Sequence, residues 1–426
     1  MSPASRIYAD YNATAPLRPE AKAAMLRAFD LTGNPSSVHG EGRKARTLVE
    51  GARDAVAAAI GACRDDIAFT SGGTEAVGAV ICGALASMDE GAILLTSAIE
   101  HDAVASIVRQ LTVRDAESDK AMNAFLDNPN DPDLRARASD PRFNKGPGAM
   151  DLRVWRIRSE GVVDLDDLRR MMRSAASIAG VRPLVSLMLV NNETGVIQPV
   201  AEAAEIVHAA GGLIHCDAIQ ALGKIETSII ELDVDYLSLS AHKIGGPQGV
   251  GAFYVKPGAP FRAIQTGGGQ EFGRRAGTEN VAAIAGFGAA VDAAAEGMSS
   301  YKALAEHRDR MEARLMQAVP GVVVHGAGAP RVAGVSCFGL EGLPSETQVM
   351  NMDLAGFAVS AGSACSSGKV KPSRVLEAMR QPEGMARSSI RASFGWNSRG
   401  EDFDALAEAW LKMVARARPQ LVAATI

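Results

Sequence analysis

Cysteine is scarce and scattered. The 426 residues hold five, at 63, 82, 216, 337 and 365, and no two stand in a C-x-x-C arrangement. An odd, unpaired set argues against a disulfide framework and against a zinc knuckle. It fits a cytoplasmic chain with reduced thiols. Long basic tracts are also missing, and the formal net charge is -5, so nucleic acid is not an expected partner. The opening MSPASRIYAD has no apolar core of signal length. The longest apolar runs, such as VRPLVSLMLV at 181–190, are too short to cross a bilayer and suit buried strands. No ligand cluster for cobalt, zinc or iron stands out.

What is present is core-forming. Hydrophobic residues make up 47% of the chain and charged residues 22%, enough to bury two or more domains. Residues 1–20 read as irregular. GRKARTLVEGARDAVAAAI at 42–60 has helical spacing, and IAFTSGGTEAVGAVICGAL at 67–85 reads as strand, Gly-rich turn and helix. AILLTS, LVSLMLV, GGLIHCDAI and VDYLSLS are short strands that alternate with helical patterns. That alternation predicts an α/β fold, a mostly parallel sheet with helices on both faces. The stretch at 111–150 is hydrophilic, and its part from 128 is rich in Pro, Asp, Arg and Gly; it reads as a surface insertion. After about 280 the pattern changes. Two long helices, strands at VAGVSCFGL and SSIRASFG and a closing helix at EDFDALAEAWLKMVARARP suggest a smaller α+β domain.

Chemistry-bearing residues gather where strands end. His101 follows SAIE, Asn191 and Asn192 follow LMLV, Asp217 and Gln220 follow LIHC, and Ser240, His242 and Lys243 follow YLSL. In an open parallel sheet, ligands sit beyond the carboxyl ends of the strands. TSGGTEAV puts Gly72, Gly73 and Thr74 at a helix start, an anion site, and it carries neither nucleotide motif, GxxxxGKS/T nor GxGxxG. Lys243, flanked by glycines in SAHKIGGPQG, is too costly to bury for packing alone and suits an amine nucleophile. Anion donors, an acid, a flat imidazole and a lysine together suit pyridoxal 5′-phosphate.

These residues sit in motifs that resemble the cysteine desulfurases, a branch of the class-V aminotransferases. The pieces are YADYNATAP, GNPSSVHG, TSGGTEAVG, EHDAV, NNETGVIQP, HCDAIQALGK, SLSAHKIGGPQGVGA, GGGQEFGRRAGTEN, SAGSACSSG and RASFG, in family order from about residue 7 to 396. The resemblance implies fold type I of the pyridoxal-phosphate enzymes: a mostly parallel seven-stranded sheet between helices, with a smaller α+β domain. It places an N-terminal segment at 1–20 against the small domain, a cofactor-binding domain at 21–280 and a small domain at 281–426. Lys243 resembles the lysine that bonds the cofactor aldehyde, and Asp217 the acid that pairs with the ring nitrogen. Gln220 resembles the residue at the phenolic oxygen, and His101 the imidazole stacked on the ring. Gly73, Thr74, Ser240 and His242 resemble phosphate ligands, and Thr278 a threonine that reaches the phosphate from the neighbouring subunit, which implies a homodimer. Asn192 and Arg391 resemble the groups that hold the substrate carboxylate; Asn34 is a weaker candidate for substrate contact, and with His39 it could as well shape its loop.

Cys365 lies among small and polar residues, with Lys369, Lys371 and Arg374 following. Nearby positive charge favours a thiolate. By resemblance its thiolate attacks the sulfur of L-cysteine after Lys243 has removed the Cα proton, leaving alanine and a Cys365 persulfide. His101 would move protons, and the sulfur would pass to an acceptor such as an iron–sulfur scaffold protein. The rivals are a selenocysteine lyase, another class-V aminotransferase or lyase, and a degenerate scaffold without turnover. Retention of Lys243 and Asp217 argues against the last. The sequence departs from the family pattern in the long 111–150 stretch and in ADYNATAP. His208, His215, His307 and His325 have no site context and read as structural or exposed.

Overall fold

The computed structural model of the protein describes residues 6–88, 92–112, 151–178, 180–362 and 372–421. Cys365, Lys369, Lys371 and most of the 111–150 stretch lie outside the described residues. The chain opens with β1 (Ile7–Tyr8). A seven-stranded sheet follows, built from β2 (Ile67–Thr70), β3 (Ala92–Ser97), β4 (Asp151–Trp155), β5 (Arg182–Met188), β6 (Leu213–Asp217), β7 (Tyr236–Ser240) and β8 (Gly251–Val255). Its spatial order is β2-β8-β7-β6-β5-β3-β4. β8 pairs antiparallel with β2 and β7, and the remaining pairs are parallel. The expected mostly parallel seven-stranded sheet is present.

The strands read as continuous apolar runs because both faces are covered. Side chains alternate across a strand. Ile67, Phe69, Ile93, Leu95, Val185, Leu187, Ile214, Cys216, Leu237 and Leu239 face one core, packed with Val56 and Ile60 of the helix Gly40–Ile60 and with Phe287 of the helix Val281–Glu296. The alternate residues Ala68, Leu94, Leu184, Leu213, Tyr236 and Phe253 join a second core with Val77, Val80 and Ile81 of the helix Gly73–Leu85. The helix Gly40–Ile60 starts where the His39 ring accepts the Gly42 N–H and stops at Gly61, whose φ of 71° suits glycine.

The second sheet holds β9 (Val322–Val324), β10 (Val335–Leu340), β12 (Ser360–Ala361) and β13 (Ser389–Ser393) in the antiparallel order β12-β13-β10-β9. Between β10 and β12, the two-residue β11 (Phe357–Ala358) pairs parallel with β1, and Asp10 bridges to Ser393. Residues 1–20 are therefore not wholly irregular as expected. A two-residue strand shows no period in sequence and is ordered by its partner. Among the described residues no single helix is long and apolar enough to cross a membrane.

Candidate active site

A cavity of about 420 Å³ opens at the carboxyl ends of the parallel strands. Gly73 and Thr74 reach it from the turn after β2, His101 from the turn after β3, Asn192 after β5, Asp217 and Gln220 after β6, and Ser240, His242 and Lys243 after β7. Arg391 enters from β13 of the second sheet.

One end of the cavity is built for an anion. The helix Gly73–Leu85 begins here, with its first amides unclaimed by the helix ladder. Gly73 is needed for close approach: a Cβ there would come within 2.5 Å of Ile219 Cδ1 and 3.2 Å of Ser240 Cβ. Ser240 Oγ is buried with no hydrogen-bond partner among the described residues. A buried hydroxyl left so is unfavourable by roughly 1–3 kcal/mol, and a phosphate oxygen would satisfy it. Burial, with the Lys243 charge, pushes His242 down to about 4, so its ring is neutral beside Thr14 Oγ1 at 3.2 Å.

The other end suits the cofactor ring. Lys243, in the 3-10 turn that ends β7, donates from Nζ to the carbonyls of Asn12 at 2.6 Å and Ala13 at 2.8 Å. Asp217 is buried and accepts the Ile219 N–H at 3.0 Å. Burial pushes its carboxyl up, against that hydrogen bond and the charges of His101 and Lys243. A protonated ring nitrogen would supply the counter-cation a buried carboxylate requires. Gln220 is oriented at both ends of its amide: Nε2 donates to Asn12 O at 2.9 Å, and Oε1 accepts from Lys224 Nζ at 2.7 Å. His101 Nδ1 accepts the Ala103 N–H at 3.1 Å, which leaves Nε2 to carry the ring hydrogen. Burial and the Lys243 charge hold this imidazole below its ordinary pKa, against Asp217.

Arg391 is held for carboxylate recognition. Its Nη1 donates to Asn192 O at 3.0 Å and its Nη2 to Asp10 Oδ1 at 2.7 Å, while its buried Nε has no partner among the described residues. These residues fit pyridoxal phosphate: an anion cup with an orphan hydroxyl, a lysine amine, a buried acid and an oriented amide.

Two candidates lie elsewhere. Asn34 is exposed, does not line the cavity, and turns Oδ1 to the Ser36 N–H at 2.9 Å. Thr278 is exposed and does not line the cavity of its own chain. Several residues given no place in the cavity from sequence do line it or brace it. Lys224, buried and pushed down to about 7 by burial and the charges of Lys243 and Arg391, also donates to Asn12 Oδ1 at 2.9 Å. Glu193 is buried and accepts from Ser373 Oγ at 2.5 Å; Arg374 donates to Asp102 at 2.5 Å. Each lies inside or next to a quoted motif, but its inward turn is a property of the fold. Glu100, before His101, is another.

The class-V aminotransferase pattern matches residues 7–120 and 146–406. The chain is 37% identical over 405 residues to a cysteine desulfurase of Cereibacter sphaeroides, spanning 95% of this chain and 94% of that protein. It is 36% identical over 403 residues to one of Klebsiella pneumoniae, spanning 94% and 90%. Its fold superposes on the crystal structure of a NifS-like protein of Rickettsia africae with a TM-score of 0.78 and 28% identity, covering 96% of this chain and 99% of the other. A fold type I sheet, a cavity at its carboxyl edge whose residues fit pyridoxal phosphate and likeness over most of the chain agree: the chain belongs to the class-V aminotransferases, in their cysteine desulfurase group.

Proposed function

We propose that the protein takes sulfur from L-cysteine, releases L-alanine and carries the sulfur as a persulfide on Cys365 for an acceptor such as an iron–sulfur scaffold protein. The observation that carries this is the placement of Lys243, Asp217 and Arg391 around one cavity that Arg374 and Val375, which follow the Cys365 stretch in sequence, also line. A Cβ on Gly362 would lie 3.1 Å from Ser373 Cβ, so the residues on either side of 363–371 pack together. Arg374 and Val375, just beyond, line the cavity.

Bound pyridoxal phosphate supplies an electron-withdrawing ring that accepts the charge released at Cα. The chain supplies the rest. Asp217 would pair with the ring nitrogen, and Gln220 would serve the phenolic oxygen. Gly73, Thr74, Ser240 and His242 hold the phosphate, joined by Thr278 of the neighbouring subunit in a homodimer. Arg391 with Asn192 holds the substrate carboxylate. Lys243 Nζ, steadied by two carbonyls, takes the Cα proton. The Cys365 thiolate attacks the substrate sulfur, the C–S electron pair passes to carbon, and a proton completes the methyl group of alanine. Cys365 thiol plus L-cysteine thus gives Cys365 persulfide plus L-alanine, with no external oxidant. In this division 21–280 carries the cofactor, 281–426 carries the cysteine, and 1–20 packs with the small domain, a reading supported by the Asp10–Arg391 ion pair at 2.7 Å.

The test is Cys365→Ala. The variant is expected to keep pyridoxal phosphate and bind L-cysteine, yet lose alanine formation by orders of magnitude and carry no alkylation-trapped persulfide. Alanine release at near the parental rate would place the protein among the other lyases or aminotransferases of its family.

A further inference from the structure

Glu100 stands directly before His101 and is given no part in the chemistry above. It is only 4% exposed and lines the same cavity. Its Oε1 accepts from Ser97 Oγ at 2.5 Å and from the Met188 N–H at 3.2 Å. Its Oε2 is buried and has no partner among the described residues. The carboxyl is therefore fixed by one oxygen, and the other is out of reach of water. An ionised carboxylate in that setting would leave a charged oxygen desolvated and unpaired, which is more unfavourable than a neutral acid.

The titratable groups around it sharpen the point. Asp217, at the end of β6, is close enough that its charge raises the Glu100 carboxyl, and Cys216 lies beside both. His101 and Lys243, which line the same cavity, act on Asp217 in the opposite sense and lower its carboxyl. Two buried carboxyl groups in one pocket do not both ionise readily. Asp217 has the Ile219 N–H, the Lys243 ammonium and the His101 ring to support a charge. Glu100 has a hydroxyl and one amide, and burial with the Asp217 charge pushes it up to about 8.

We propose that Glu100 is a positioning residue that remains protonated behind Asp217, so that the negative charge of this buried pair resides on Asp217, where the cofactor ring nitrogen meets it. This rests on the reading of Asp217 as the partner of that nitrogen. The consequence is a second, concealed acid that limits the site at alkaline pH. When Glu100 ionises, two like charges share the pocket, and the cofactor is held in a different field.

The experiment compares Glu100→Gln, Glu100→Ala and Asp217→Asn with the unsubstituted protein. Glutamine keeps the shape and acceptor of a neutral acid and cannot ionise. In cofactor-free protein the unfolded chain loses the Glu100 proton near its ordinary value, while the folded chain keeps it to about pH 8. Stability assigned to this group therefore falls as pH rises between those values. The Tm of Glu100→Gln relative to the unsubstituted protein is expected to climb from about pH 5 to about pH 8 and then level off. With pyridoxal phosphate at neutral pH, the glutamine variant is expected to bind within about threefold of the parent, and Glu100→Ala to lose about tenfold or more. A Tm difference that is flat with pH would overturn the proposal, as would a Glu100→Gln loss of affinity equal to that of Asp217→Asn. If the variants do not fold, infrared spectra of the unsubstituted protein decide: a buried carboxylic-acid band that disappears between neutral and alkaline pH is expected, and its absence overturns the proposal. Failure of even the unsubstituted protein to bind pyridoxal phosphate would instead sink the function, and the Tm comparison would still judge Glu100.

Discussion

Arg53→Met is the substitution whose effect the structure sizes most directly. Arg53 and Glu271 form a buried fork: Nη1 to Oε2 at 2.6 Å and Nη2 to Oε1 at 3.1 Å, with side chains 3% and 1% exposed. Nη1 also donates to Ile67 O at 2.8 Å, and Glu271 Oε2 accepts the Phe69 N–H at 2.8 Å. The guanidinium lies 4.9 Å from the Phe69 ring centre and 5.0 Å from that of Phe272. The pair thus ties the edge strand β2 to the turn that opens GGGQEFGRRAGTEN. That turn is strained, with left-handed φ of 47° at Glu271 and 56° at Phe272. Such residues cost on the order of 1–3 kcal/mol each and persist only when their surroundings hold them. Methionine fills much of the arginine volume but strands the Glu271 carboxylate with one remaining donor. Breaking one side of a buried pair costs about 3–5 kcal/mol. Urea unfolding followed by circular dichroism should show a loss of that size. Glu271→Gln added to Arg53→Met removes the stranded charge and should recover part of it. A loss below about 1 kcal/mol for Arg53→Met, or a double variant equal to the sum of the singles, would refute the ion-pair account. The turn leads to Thr278, so, under the role proposed for that residue, Arg53→Met should also weaken pyridoxal-phosphate retention.

Borohydride treatment of the cofactor-loaded protein should label the peptide that contains Lys243, and Lys243→Ala should lose that label while keeping non-covalent binding; label on another lysine would displace Lys243 from its role. Lys224→Met removes the donor to Gln220 and Asn12 and should raise the cofactor dissociation constant by about tenfold, measured by fluorescence of the released cofactor; an unchanged constant would reduce Lys224 to packing. His215 is held between Ser186 Oγ at 3.0 Å and Ser238 Oγ at 2.8 Å, and burial lowers it to about 3. The unfolded chain binds that proton first, so stability is fully present above the ordinary histidine value and declines as pH falls toward 3, at about 1.4 kcal/mol per pH unit from this group. His215→Gln should flatten that acid slope, and an unaltered slope would count against a neutral buried His215.

What sequence could and could not show follows from which forces are local. The strands β3, β5, β6 and β7 are legible because burial on both faces demands unbroken apolar runs, and Lys243 is legible because an ammonium at such a strand end needs a reason. β8 escapes because the approach to it, Gly249-Val250-Gly251, reads as the tail of a turn, while its residues are held by the two antiparallel neighbours β2 and β7. Asn34 is the converse case. Its motif is conspicuous, but the side chain spends its acceptor on the backbone two residues on, a local bond that asparagine makes readily in loops. Glu100 and Lys224 were both in plain view within quoted motifs. A glutamate beside a histidine and a lysine at the end of a short turn are usually solvated, and nothing along the chain says that Ser97, Met188, Asn12 and Gln220 will close over them. Residues that would touch cofactor carry their chemistry in their type. Residues that set the charge of those neighbours carry it in their burial, and burial is decided by parts of the chain nearly 90 residues away for Glu100 and Met188, and more than 200 for Lys224 and Asn12.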